Sequence, residues 1–148
     1  MGNYWDTPVR HPEDTGVQYI RRTVDLALLT NPAYATNGVP IGALEAGASP
    51  SHADVYIETA FNAGTTNVLV VGTVDDDDGF ATSAGVIAGT AGWKGALSGA
   101  LTGIPLAASK VVYAKFSQTG TAATTGKAVI TLTLRPKREG EGVAFPGN

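Results

Sequence analysis

Val55-Tyr-Ile-Glu-Thr-Ala-Phe-Asn-Ala-Gly-Thr-Thr-Asn-Val-Leu-Val-Val-Gly-Thr73 reads as strand, turn, strand. Successive side chains of an extended chain point to opposite sides. Val55, Ile57, Thr59 and Phe61 therefore share one face of the first strand, and Tyr56, Glu58 and Ala60 share the other. Asn62-Ala-Gly64 supplies the residues from which tight reversals are made. Val68 to Val71 is then apolar on both faces, which suits a strand covered on both sides, in a sandwich interior or at a subunit contact. Residues 110–135 repeat the pattern. Val112, Ala114 and Phe116 face one way, a Gly/Thr/Ala turn follows, and Ile130, Leu132 and Leu134 alternate with Val129, Thr131 and Thr133 until Pro136 removes a ladder donor.

Working outward, the spacing predicts a first strand over Tyr19 to Leu29 with Val24, Leu26 and Leu28 on one face. Asn31-Pro32 ends it, Asn37-Gly38-Val39-Pro40 signals a second turn, and Ile41 to Leu44 is a short apolar strand. Gly47 to Ser51 forms a loop before a strand over Ala53–Phe61. Residues 83–103 are Ala-rich and carry six glycines at Gly85, Gly89, Gly92, Gly95, Gly99 and Gly103. Each glycine weakens a helix by about 0.8–1.0 kcal/mol relative to alanine, so loops and short strands are expected there. The sum is all-β: one antiparallel β-sandwich, jelly-roll-like, over residues 19–136. Residues 1–18 form an extended N-terminal arm, stiffened by Pro8 and Pro12, and residues 137–148 a polar tail.

A 148-residue chain is long enough for a single core without covalent staples. The absence of cysteine excludes disulfides and thiolate metal sites. The net charge of −3 comes with no basic face, which argues against a nucleic-acid partner. The N-terminus lacks the charged and then apolar segments of a secretory signal. The least polar stretch, Val86 to Ile104, is broken by Lys94 and by glycines, so no membrane partner is expected.

No catalytic constellation emerges. An EF-hand-type loop counted from Asp75 would need its bidentate acid at position 12, where Val86 stands, and four adjacent carboxylates in an extended turn point apart. Asp75 to Asp78 therefore reads as a solvated loop held open by its own repulsion. His11 and His52 are isolated from each other, and Ser51-His52-Ala-Asp54 lies where turn formers are expected, without the glycine-flanked serine of a nucleophile elbow. The chain is expected to be no enzyme and to need no cofactor. Its conspicuous side chains are large and apolar. Tyr4 and Trp5, near Arg10, ride on an otherwise polar arm and point to docking onto a neighbour, or to packing on the domain's own sheet. Trp93 reads as a plug among small residues, with a glycan-stacking platform as the sharper alternative. Val68, Val70 and Trp93 are the candidates for contacts between copies.

Several segments resemble a family of small tailed-bacteriophage virion proteins placed among head decoration, or cement, proteins. They are Thr59-Ala-Phe-Asn-Ala-Gly-Thr-Thr66, Asn67-Val-Leu-Val-Val-Gly-Thr73, Asp75-Asp-Asp-Asp-Gly-Phe-Ala81, Val112-Tyr-Ala-Lys-Phe116, Thr119-Gly-Thr-Ala-Ala-Thr-Thr-Gly126 and Ala128-Val-Ile-Thr-Leu132. They cover roughly the C-terminal two-thirds of the chain and are structural rather than chemical. The resemblance implies a β-rich module, made in the bacterial cytoplasm, that binds the major capsid protein on the virion surface, often as a homotrimer at local three-fold axes. Tyr4, Trp5 and Arg10 would then be capsid contacts. Two alternatives stay open: a tail or head–tail junction protein, and a glycan- or receptor-binding sandwich displayed on the virion.

Overall fold

The computed structural model describes residues 18–97 and 99–135. Seven strands run in chain order: β1 Gln18–Asp25, β2 Val39–Leu44, β3 Ser49–Thr59, β4 Thr66–Gly72, β5 Gly92–Leu97, β6 Lys110–Thr119 and β7 Lys127–Arg135. They form two antiparallel sheets, one of order β1-β7-β3-β5 and one of order β2-β6-β4. A sandwich of two antiparallel sheets is thus the architecture. A jelly roll has two four-stranded sheets. Here the second sheet has three strands, and the flank of β4 carries only isolated bridges, from Ala81 to Val71 and from Ile87 to Val68.

The core lies between the sheets and follows the alternation. From β3 and β7 come Val55, Ile57, Ile130 and Leu132, all fully buried. Facing them, Leu69, Val71, Val112 and Ala114 project from β4 and β6. Each fully buried aliphatic side chain of this kind contributes about 1.5–3 kcal/mol. At one margin the guanidinium of Arg22 on β1 donates to the Pro40 carbonyl on β2 and so ties one sheet to the other.

Three expectations need correction. The first strand stops at Asp25, whose carboxylate accepts a hydrogen bond from the Leu28 backbone N–H at 2.8 Å and caps a short helix, α1 Leu26–Leu29. An N-cap aspartate satisfies a donor that the strand ladder has no means of using, so the chain turns into a helix. Asn31 then caps a 3₁₀ turn at Pro32–Tyr34 in the same way. Second, the Val68–Val71 run is not covered on both sides. Leu69 and Val71 are buried, whereas Val68 and Val70 are only half-buried on the outer face. Third, Trp93 is no plug: it lies on β5 and is 67% exposed. The reading of residues 83–103 as loops and a short strand holds, with β5 the strand.

Candidate interaction surface

The outer face of the four-stranded sheet is built by cross-strand pairing. Tyr19, Thr133 and His52 form one row, Arg21, Thr131 and Asp54 the next, and Thr23, Val129, Tyr56 and Trp93 a third. Paired residues in antiparallel strands share a face, so the three rows present one continuous surface. Its apolar landmarks are Tyr19, 65% exposed, and Trp93, whose indole lies 4.9 Å from the Tyr56 ring at an interplanar angle of 47°. Such tilted pairs add roughly 0.5–1.5 kcal/mol beyond area burial. The pair leaves Trp93 largely in water, and contiguous exposed apolar patches mark contact surfaces.

His52 and Asp54 alternate on this same face, with Nε2 3.2 Å from the carboxylate. Ser51 does not complete a triad with them, since its hydroxyl donates to the Thr133 carbonyl at 3.2 Å. The i, i+2 spacing of a strand brought His52 beside Asp54, and the register shift between Pro50 and His52 leaves Ser51 as an extra, exposed residue of β3 without a ladder partner.

The other outer face carries a second apolar patch. Val68 and Val70 are two residues apart on β4, and the bridge to Ile87 sets that exposed side chain beside Val68. The three proposed contacts between copies are therefore not brought together. Val68 and Val70 lie on one face of the sandwich and Trp93 on the opposite one. Tyr4, Trp5 and Arg10 lie outside the described residues.

Asp75 to Asp78 forms a loop lashed to β6. Lys110 pairs with Asp75, Lys115 lies 3.4 Å from Asp77, and the Thr73 N–H donates to the Asp76 carbonyl at 2.7 Å. Two lysines thus offset part of the repulsion read from the sequence, and no group of three or more potential metal-ligating acids or histidines occurs among the described residues. Partial burial, a hydrogen bond with Asp76 and the charges of Asp76 and Asp77 together raise the Asp78 carboxyl above the ordinary aspartate range. A raised carboxyl opposes folding at neutral pH, and the opposition fades as pH falls through the raised value. Asp78→Asn is accordingly expected to raise the midpoint of thermal unfolding slightly at pH 7. The two proteins should converge below about pH 4, where both states of the wild type are protonated. Parallel melting curves from pH 3 to 8 check both the sign and the window.

No family model matches the sequence, and no curated protein matches it. The fold is shared with solved structures. A chain of the cyanophage Pam1 capsid asymmetric unit aligns with a TM-score of 0.59 at 17% identity, over 92% of this chain and 98% of that one. A chain of the acidic stable capsid structure of Helicobacter pylori bacteriophage KHP30 aligns with a TM-score of 0.56 at 16% identity, over 80% and 86%. At this identity the likeness is one of fold.

Proposed function

We propose that this chain is a structural protein of a bacteriophage virion that binds the outside of the capsid and stabilises the shell, acting as a homotrimer. The observation that carries the reading is the near-complete overlap with a chain of a phage capsid asymmetric unit: 92% of one against 98% of the other. The alignment runs over nearly all of both chains. The architecture supports the reading, since a sandwich of two antiparallel sheets, β1-β7-β3-β5 and β2-β6-β4, offers two outer sheet faces to neighbouring subunits.

Binding several neighbouring shell subunits at once stabilises an assembly by mass action and avidity, with no catalytic group required. A three-fold ring uses heterologous contacts, one patch of each copy against a different patch of the next. The Val68–Val70–Ile87 patch is the apolar half of such a contact. The aromatic arm, with Tyr4, Trp5 and Arg10, supplies the grip on the capsid protein, because aromatic and arginine anchors dominate interface energetics.

The test is co-sedimentation of the purified chain with empty heads and, separately, with tails of the phage that produces it. Binding to heads is expected, and the double variant Tyr4→Ala/Trp5→Ala should lose about tenfold or more in affinity while its mass by light scattering stays that of a trimer. Association with tails alone would overturn the capsid assignment, and a monomer mass at all concentrations would overturn the trimer.

A further inference from the structure

We propose that the outer face of the four-stranded sheet binds a neutral oligosaccharide, laid across its third row from Trp93 to a hollow beside Thr23. Two separate features stand at the ends of that row. At one end Trp93 of β5, 67% exposed, packs on Tyr56 of β3 at a ring distance of 4.9 Å. At the other, Thr23 of β1 borders an open hollow of about 390 Å³. Ala27 and Leu28 of α1 give the hollow an apolar lining, and Asp25, Asn31 and Lys127 give it polar groups. The pairings Thr23–Val129, Val129–Tyr56 and Tyr56–Trp93 set platform and hollow on one line across the strands. Three strand spacings separate them, about 14 Å, room for roughly three to four hexoses.

The chemistry of the face selects the ligand. A hexopyranose is apolar where its ring C–H bonds point and polar around its rim. The C–H side suits the electron-rich face of an aromatic ring, and the rim needs hydrogen-bonding groups close by. Beside the aromatic pair run Arg21, Thr131 and Asp54 in the middle row. In the hollow one Asp25 oxygen accepts from the Leu28 N–H at 2.8 Å, and the Asn31 carboxamide oxygen accepts from the Ala33 N–H at 2.9 Å. Both side chains are thereby fixed before a ligand arrives, which leaves the second carboxylate oxygen and the amide N–H groups to bond it. Charge sets the class of sugar. Arg21 and Lys127 stand against Asp25, Asp54 and Glu58, and Lys127 is already paired with Glu58 at 3.0 Å. The face thus has no excess of positive charge with which to hold an acidic glycan or a nucleic acid. A protein partner fits less well, because interface anchors cluster at the centre of a patch depleted of charge. Here Trp93 lies on the edge strand, and Arg21 and Asp54 hold the middle row.

This inference is independent of the capsid reading and is tested without capsids. The sequence holds two tryptophans, Trp5 and Trp93, so Trp5→Phe leaves Trp93 as the sole indole of the full chain. Its emission is followed while cellohexaose, maltohexaose or mannohexaose is added, with hexagalacturonate as the anionic control. A saturable change is expected with at least one neutral hexasaccharide and none with the control. Calorimetry with that sugar should show Trp93→Ala and Thr23→Arg each losing about tenfold or more in affinity, the first by removing the platform and the second by filling the hollow. Both side chains are exposed, so circular dichroism and melting should stay those of the wild type. A loss confined to Trp93→Ala would overturn the hollow as the second end of the site. No saturable change with any neutral sugar, or tighter binding of hexagalacturonate, would overturn the whole proposal. So would a mass by light scattering that rises with concentration in the wild type and not in Trp93→Ala, which would assign the face to a second copy. Head binding does not enter these readouts, so the two readings fail separately.

Discussion

Phe61→Ala is expected to cost about 3–5 kcal/mol of folding stability, a large share of the roughly 5–15 kcal/mol available to a domain of this kind. Phe61 is buried and closes one end of the sandwich, past the end of β3. Its ring stacks on Phe116 of β6 at a centroid distance of 4.6 Å, and its backbone N–H donates to the Ala88 carbonyl at 3.0 Å. The β6–β7 turn comes so close that a Cβ added at Gly126 would collide with the Phe61 ring. Asn62 holds the same turn, its carboxamide oxygen accepting from the Thr124 and Thr125 N–H groups at 2.7 and 3.0 Å. Removing the ring leaves a void against three segments, each anchored by backbone hydrogen bonds, which resists collapse. Gly126→Ala is expected to destabilise by about 1–3 kcal/mol through overpacking at the same spot. The combination Phe61→Leu/Gly126→Ala should cost less than Phe61→Leu and Gly126→Ala added together, because leucine makes room for the new methyl. Urea unfolding of the four proteins measures this coupling. Strict additivity would show that Phe61 and Gly126 do not meet.

The strands were legible wherever alternation was strict, although no two paired strands are consecutive in the chain. In β6 and β7 the inward residues Val112, Ala114, Ile130 and Leu132 are those the period picks out. Leu26-Ala-Leu-Leu29 was misread because its apolar spacing fits a strand as well as a helix, and the deciding contact is one side-chain hydrogen bond from Asp25. Val68–Val71 has no polar residue to show which face is open, and the answer depends on residues 81–88, which return to β4 only at isolated points. Trp93 fails for the same reason at longer range. Nothing among its small neighbours announces an outward face, and its ring partner, Tyr56, is fixed by a β3–β5 register that local pattern does not reveal. The interaction surface is likewise non-local. Tyr19, Val129, Tyr56 and Trp93 come from four strands and share a face only once the order β1-β7-β3-β5 is known.

Gly72→Ala should be the most damaging single-methyl insertion in the second sheet, costing about 1–3 kcal/mol or more. Gly72 is buried at the end of β4, opposite Tyr113 of β6. A Cβ there would run into the Asp76 carbonyl oxygen and the Asp77 backbone, so the obstacle is main chain and has no rotamer by which to yield. Relief requires the aspartate loop to lift away. Lifting breaks the 2.7 Å hydrogen bond from the Thr73 N–H to the Asp76 carbonyl and separates Asp75 and Asp77 from Lys110 and Lys115. The ion pairs are exposed and contribute little each, so most of the loss is expected from packing and from the buried strand end. Hydrogen exchange distinguishes this from general loosening. Amides of residues 73–79 should lose protection well before those of β3 and β7, whose pairing lies in the other sheet. A Gly72→Ala protein with wild-type stability and unchanged exchange in the loop would mean that the four aspartates do not close over β4. The close approach of strand and loop would then be absent, and the lysine pairs with Asp75 and Asp77 would have to be reassigned to a freely solvated turn.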